Sequence, residues 1–478
     1  MASRILHAAV TAGLCALFAT ACSPTAPATP RLDWKACPEK AEFDCTTVQV
    51  PVDWAKPAGP KLDLALIRHR ATDAEHRIGA LLSLPGGPGT SGVDEILAGH
   101  KFSPALEARF DIVSLDPRGV KRSNPIRCDA ALAAYQPNLV PEQGGRLDEI
   151  RDYAQALAQS CRDFTGPLME HLDAVSVAKD ADAVRAALGA DKVSIYSRSY
   201  GTMAAQEYAE LFPKRIRAMV LDSVDDHSLD GRGFVETQAS AAQDSFEEFA
   251  GWCARETACA LHDRDVHAVF DGIYSRAVAG TLRDPQKPEK RLDPSDLSTA
   301  ATKRLFHPDW AKLADDLRGL ADQPPAEALA PTPMPRPSGQ PAPWPGVIAC
   351  SDWQFDLPDQ ASWEAEWRRQ NAVAPTLRAH FAWAGGSICS GWPIAATNPP
   401  HRPNVADAPP ILVLSSRHDP STPHEWAVQV TAQTSGAKML TYDGWGHSVY
   451  ERSACTTGAA DAYFLGLTMP TATNCPAA

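Results

Sequence analysis

Apolar and polar residues alternate along two early stretches, Asp44-Cys-Thr-Thr-Val-Gln-Val-Pro-Val-Asp53 and Leu62-Asp-Leu-Ala-Leu-Ile-Arg68. Period-two alternation predicts strands with one face buried, and Pro57, Gly59 and Pro60 mark a turn between them, so the two read as an antiparallel pair. Residues Ile78 to Leu84 form a continuous apolar run, the pattern of a strand buried on both faces. It empties into Pro85-Gly86-Gly87-Pro88-Gly89-Thr90-Ser91-Gly92. Phe110-Asp-Ile-Val-Ser-Leu115 is the next strand, followed by Asp116-Pro117-Arg118-Gly119. Apolar positions at Val177, Ala181, Val184 and Leu188 predict a helix from Ser176 to Leu188, with Gly189 just past its end. Val193, Ile195 and Tyr196 then mark a strand that stops at Ser197-Arg198-Ser199-Tyr200-Gly201. A helix-like segment runs from Thr202 to Leu211 and is ended by Pro213. Ile216–Leu221, Ile411–Leu414 and Lys438–Tyr442 read as further strands, the last two parallel. Strands alternating with helices across short connections imply an α/β fold with a mainly parallel sheet.

Between about Asp226 and Trp383 the pattern changes. The segment is helix-rich and tryptophan-rich and lacks clear buried strands. Within it, nine of the 23 residues from Gln323 to Pro345 are proline, which predicts an irregular or polyproline loop. Strand signals resume afterwards. The expected organisation is therefore a core in two parts, residues 35–225 and 384–478, with residues 226–383 inserted as a helical cap. The chain opens with Arg4 ahead of an apolar stretch, Ile5 to Ala19, and small residues Ala19-Thr20-Ala21 before Cys22. This reads as an export signal over residues 1–21, too short for a stable spanning helix. A flexible tether follows over residues 22–34, rich in proline and threonine.

Composition narrows the compartment and the partners. The formal net charge of −13 argues against nucleic acid and anionic membrane surfaces. The 478 residues include 12 cysteines, one of them, Cys15, inside the signal. If Cys22 carries a lipid, ten remain, an even number that can pair in an oxidising compartment. Ala19-Thr-Ala-Cys22 resembles a bacterial lipobox, with alanine in place of the usual leucine, so the protein is expected to be exported, lipid-anchored to the cell envelope or secreted. Proximity and order along the chain suggest the pairs 37–45, 128–161, 253–259, 350–389 and 455–475.

The strand–turn–helix around Ser199 is the context of a nucleophile elbow, whose tight turn needs small residues two before and two after the nucleophile. Here these are Ser197 and Gly201. Acyl transfer further needs a base, an orienting acid and an oxyanion hole. In this fold class the acid and the histidine follow the serine in that order. Asp419 follows a strand in Ser415-Ser-Arg-His-Asp-Pro-Ser-Thr-Pro423 and is the candidate acid; His418 is a rival titrating group better suited to a structural part. His447, in Asp443-Gly-Trp-Gly-His447, is the candidate base. The oxyanion donors would be the backbone amide of Tyr200 and that of Gly87 or Gly86, since Pro88 has none. No metal site is expected: His262 and His267 form the best cluster, and they read as a solvated helix face.

Gly86-Gly-Pro-Gly89, Asp116-Pro-Arg-Gly119 with Ser123, Ser199-Tyr-Gly-Thr202, His418-Asp-Pro-Ser-Thr-Pro423 and Gly446-His447 together resemble the secreted tripeptidyl aminopeptidases of actinomycetes. The C-terminal run Leu440 to Tyr450 with Ser453-Ala-Cys-Thr-Thr457 is especially similar. These are α/β-hydrolases related to proline iminopeptidases, and the resemblance spans about residues 35–475, weakest across the cap. The departures are Ser197 for glycine, Pro85 where iminopeptidases carry histidine, and Lys121-Arg122 in the Arg-Gly-x-Gly-x-Ser region. The resemblance implies an α/β-hydrolase fold and removal of short N-terminal pieces from peptides, without a cofactor. An enzyme of that kind must sense a free amino terminus, and Asp352, flanked by Cys350 and Trp353, is the carboxylate expected to do so. The competing expectations are a carboxylesterase or lipase-like hydrolase and a catalytically inactive envelope lipoprotein.

Overall fold

In a computed structural model that describes residues 32–99, 102–378 and 381–478, Lys35–Ala36 (β1), Asp44–Pro51 (β2) and Lys61–His69 (β3) form an antiparallel edge. The export signal, Cys22 and most of the tether lie outside the described residues. Gly79–Leu84 (β4), Phe110–Leu115 (β5), Val193–Ser199 (β6), Ile216–Val224 (β7), Ile411–His418 (β8), Lys438–Trp445 (β9) and Asn474–Pro476 (β10) complete one sheet in the order β1-β2-β3-β5-β4-β6-β7-β8-β9-β10. From β5 onward all neighbours are parallel.

The alternation along each strand divides its side chains between two cores. Ala80, Leu82 and Leu84 of β4, Val193 and Ile195 of β6, and Ile411 and Val413 of β8 point to one. Leu81, Tyr196, Leu412 and Leu414 point to the other. The first face is covered by Ala174–Ala187 (α2) and Gly201–Leu211 (α3), the second by Gly92–Ala98 (α1) and Ala454–Gly466. Helices therefore lie on both faces of the sheet, which explains why the central strands read as unbroken apolar runs. This is the α/β-hydrolase architecture expected.

β7 and β8 are adjacent in the sheet, yet 186 positions separate Val224 from Ile411 in numbering, and helices fill that stretch. The longest is Gly231–Arg255 (α4), capped at its start by the Asp230 side chain. Val266–Val278, Pro294–Phe306 (α5) and Trp310–Ala321 pack with α4 around a core of their own that includes Phe246, Phe249 and Phe270. Trp363 and Trp383 stack in another cluster, their ring centroids 5.2 Å apart. Two short features escaped the sequence pattern here. An exposed hairpin joins Arg283–Asp284 to Lys287–Arg291. Pro341–Pro343, in the stretch expected to be irregular, pairs with Arg127–Asp129.

Disulfides join 37–45, 128–161, 253–259, 350–389 and 455–475, the pairs that proximity suggested. The last ties β10 to Ala454–Gly466. β10 adds a strand beyond β9, the last strand the sequence pattern marked; three residues are too few to carry a period.

Beside the sheet lies a buried ion pair. Arg118 meets Asp180 with two hydrogen bonds, of 2.7 Å from Nε and 2.6 Å from Nη2, and its other donors go to the carbonyls of Pro51, Val52 and His171. Trp54 Nε1 donates to the same carboxylate at 3.0 Å.

Candidate active site

Ser199 ends β6 in the left-handed backbone region, with φ at 52°. A non-glycine residue is rarely held there, and α3 begins only two residues later. The turn closes against the Leu84–Gly86 loop. A Cβ on Gly201 would stand 2.4 Å from the Pro85 carbonyl oxygen, and one on Gly86 would stand 2.9 Å from Ser199 Cβ. Both positions therefore require glycine. Ser197 faces a different environment. It is fully buried, and its hydroxyl points across to the Val220 carbonyl on β7 at 3.5 Å. A serine fits where the usual motif has glycine because its one polar atom finds an acceptor.

The expected oxyanion donors flank this turn. Among the described residues, neither the Tyr200 amide nor the Gly87 amide donates to another backbone carbonyl or to a side chain. Gly87 has φ at 118°, a conformation that favours glycine. Asp116, fully buried, holds this loop to the next: it accepts from the Ser91 hydroxyl, from the Val93 amide at 3.2 Å and from the Arg122 amide at 3.1 Å.

Asp419 lies one residue past β8 and is buried. Its Oδ1 accepts the amides of Ser421 and Thr422, each at 2.9 Å, and its Oδ2 accepts the Thr422 hydroxyl at 2.9 Å. His447 Nδ1 is 3.0 Å from both oxygens. The carboxylate can only accept, so Nδ1 carries the proton and Nε2 is left as the basic nitrogen. Burial alone would raise the Asp419 pKa; the charge and hydrogen bond of His447 outweigh it and hold the carboxyl below its usual range. Burial would lower the His447 pKa, but Asp419, with Asp222 and Asp225 farther off, raises it. The two groups thus stabilise each other's charged forms.

The histidine loop is fixed from several sides. The His447 amide donates to the Phe306 carbonyl at 2.8 Å, and the Phe306 ring lies over the imidazole at 5.0 Å between centroids. Ser448 donates to Ser223 Oγ at 2.9 Å, while the Val449 and Tyr450 amides donate to Asp222 at 2.8 and 2.9 Å. Among the described residues the Ser199 hydroxyl makes no hydrogen bond.

Other expected residues fall elsewhere. His418 Nδ1 pairs with Asp244 of α4 at 2.7 Å, which raises its pKa and makes it part of a contact between α4 and β8. His262 bonds the Cys253 carbonyl, and His267 bonds Thr376. Asp352 lies beneath Tyr200, wholly buried. It accepts the Tyr200 hydroxyl, the Ala174 amide at 3.0 Å and Asn398 Nδ2 at 2.8 Å, and burial pushes its pKa up to about 7. Sequence reading missed Thr422, whose hydroxyl is 3.3 Å from His447 Nδ1 as well as bonded to Asp419; the Asp-Pro-Ser-Thr run was its only signal. It also missed a group of Glu207, His227 and His401, the one set among the described residues able to hold a metal ion. These come from three segments and have no common spacing.

Residues 374–475, which carry Asp419 and His447, match the family model described as TAP-like protein. The serine protease Hip1 of Mycobacterium tuberculosis is 33% identical over 89% of this chain and 86% of its own length. Carboxylesterase B of the same organism is 33% identical over 94% and 90%. The tripeptidyl aminopeptidase of Streptomyces coelicolor is 29% identical over 91% and 84%. The extent of this similarity, on a chain whose sheet carries a buried carboxylate–histidine pair and a strained serine turn at its strand ends, makes this protein a member of the TAP-like family of α/β-hydrolases, the family of Hip1 and the tripeptidyl aminopeptidases.

Proposed function

We propose that the protein is an exported serine exopeptidase that releases short N-terminal pieces from peptides through an acyl-enzyme. The observation that carries this reading is the 3.0 Å pairing of His447 with buried Asp419 beside the Ser199 turn. Ser199 Oγ attacks the peptide carbonyl carbon while His447 Nε2 takes the hydroxyl proton. The C–N bond breaks as His447 returns that proton to the departing amine. Water then attacks the ester with His447 again as base, and the acid product leaves with Ser199 restored. Asp419 holds the imidazole in the tautomer that leaves Nε2 free. The Tyr200 and Gly87 amides receive the negative charge that forms on the carbonyl oxygen.

Export is supported by the five disulfides, which belong to an oxidising compartment. Lipid attachment at Cys22 is a further part of the proposal. Asp352 fits a positioning part better than direct capture of the substrate amine, because its oxygens already take three hydrogen bonds and it has no exposed surface.

A second reading, a carboxylesterase, draws on the relative of that name, since the same machinery cleaves esters. The deciding experiment is hydrolysis of aminoacyl, dipeptidyl and tripeptidyl chromogenic amides, with free and blocked amino ends, beside a short-chain ester. Wild type and Ser199→Ala are compared. Turnover of free-amine peptidyl amides that vanishes in the variant supports the exopeptidase. Turnover of the ester alone replaces it with the esterase. No turnover and no labelling by a fluorophosphonate leaves an inactive envelope binding protein.

A further inference from the structure

On the side of Tyr200 where Asp352 lies, four ligating side chains converge. Glu207 and Glu210 are three residues apart on α3, so their carboxylates leave the same face. His227 lies three residues past β7, and His401 lies in the segment leading to β8. Glu207 Oε1 is 3.8 Å from His227 Nδ1 and 3.6 Å from His401 Nε2, and Glu210 Oε1 is 3.3 Å from that same Nε2. One ligand atom from each of Glu207, His227 and His401 lies within 4.8 Å of the other two. A zinc ion bonds nitrogen and oxygen at about 2.0–2.1 Å, so tetrahedral ligand atoms stand roughly 3.4 Å apart. These three separations are within a few tenths of an ångström of that edge.

The other nitrogen of each ring is already engaged. His227 Nε2 is 2.9 Å from the Asp352 carbonyl oxygen, and His401 Nδ1 is 3.1 Å from the Pro399 carbonyl oxygen. A carbonyl only accepts, so those nitrogens carry the protons. In the neutral rings the lone pairs of His227 Nδ1 and His401 Nε2 then point at a carboxylate. With both rings neutral, two lone pairs and a carboxylate brought face to face need a cation among them, which either a metal ion or a proton on His401 supplies. Orientation of each ring by a backbone carbonyl is also how metal-binding histidines are held. The Asn398 backbone also lies against the His227 ring. Glu207 and His227 are buried, whereas the His401 side chain is 39% exposed, which provides a way in for an ion and room for a water.

We propose that Glu207, His227, His401 and Glu210 form a binding site for a divalent transition metal, with zinc the best fit to two imidazoles and two carboxylates. Its part is to fasten α3, the helix that follows the nucleophile, to the segments that hold Tyr200. Asn398 Nδ2 donates to Glu207 at 3.1 Å and to Asp352 at 2.8 Å, and Asp352 accepts the Tyr200 hydroxyl. The ion would therefore stand two hydrogen-bonded residues behind Tyr200, and it has no place in acyl transfer.

The test uses the full chain without a histidine tag, stripped with EDTA and dialysed against zinc chloride. Elemental analysis, calorimetry and thermal melting are the readouts. One zinc ion per chain, a higher Tm with zinc than with EDTA, and the intense visible bands of tetrahedral cobalt on substitution are expected. His401→Ala, at a partly exposed position, and Glu207→Gln should each weaken zinc binding by about 100-fold or more, beyond the effect of losing an outer partner. If His227→Ala does not fold, these two variants decide the matter, with circular dichroism as the check on folding. Failure to retain zinc, or retention unchanged in His401→Ala, would overturn the site. A protonated His401 held by the two glutamates would then be the cation of this cluster.

Discussion

Asp419→Asn tests the histidine orientation directly. The wild-type carboxylate takes two amides, one hydroxyl and His447 Nδ1, and every one of these is a donor. An amide side chain has one acceptor and one donor. Its oxygen will turn to the Ser421 and Thr422 amides, because leaving those buried donors unpaired costs more. Its NH2 then faces His447 Nδ1, which can accept only if the proton moves to Nε2. The base is thereby blocked in the nitrogen that must receive the serine proton. The same replacement in other serine triads lowers kcat by about 10⁴-fold, or about 5.4 kcal/mol at 1.36 kcal/mol per decade. A second signature separates this from general damage. Asp419 raises the His447 pKa against burial. Activity needs neutral His447, so it rises with pH through that pKa. With the charge removed, burial prevails and the acid limb of kcat/KM must move to lower pH. The assay is kcat/KM against pH on the best peptidyl amide, with thermal melting to confirm folding. A loss below tenfold, or an acid limb that stays put or moves upward, would refute the reasoning.

Gly201→Ala would force a methyl to within 2.4 Å of the Pro85 carbonyl oxygen, so the elbow must shift; kcat/KM and fluorophosphonate labelling should fall by about 100-fold, as for an ångström-scale misplacement. Arg118→Ala leaves Asp180 buried without its partner and should destabilise the protein by about 3–5 kcal/mol in a urea melt, whereas an unchanged midpoint would mean that water replaces the guanidinium. Replacing Cys455 and Cys475 together by serine opens a loop with a sequence separation of 20 and should cost roughly 3 kcal/mol, read as a lower Tm with kcat retained, because β10 lies at the sheet edge.

The strands that surround the site were legible because burial on both faces leaves an unbroken apolar run, as in Ile78–Leu84 and Ile411–Leu414. The positions of Ser199, Asp419 and His447 were legible because each follows a stretch that the sequence marks as a strand, and in a parallel sheet all strand ends of one sense gather on one side. What sequence could not supply was contact between distant segments. Asp352 read as a buried carboxylate fixed by its flanking cysteine and tryptophan and available to a substrate amine; only the fold puts Tyr200, Ala174 and Asn398 around it. Glu207, His227 and His401 share no spacing because three separate connections bring them together. The short strands at 127–129, 341–343 and 474–476 were illegible for a simpler reason, since three residues cannot display a period.

The feature that unites these residues is the crowd of carboxylates behind His447. Asp222 is committed to the Val449 and Tyr450 amides and to Tyr196, so it secures the loop that presents the imidazole. Asp225, pushed up to about 7 by burial, donates its amide to Thr202 Oγ1, while Thr202 Oγ1 in turn donates to the Ser199 carbonyl. Asp419 alone touches the ring. Acidic groups of this kind are costly to bury and are kept where they fix backbone or tune a base. Here the Asp222 carboxylate holds the loop that follows β9, the Asp225 backbone ties the loop after β7 to Thr202, and the Asp419 carboxylate sets the histidine tautomer. In the proposed mechanism the same negative surroundings would favour the imidazolium that forms when Ser199 gives up its proton, and so lower the barrier to attack. They also raise the pH at which the base becomes free. A site built this way trades activity in acid for stabilisation of the charged histidine in the step that makes the acyl-enzyme.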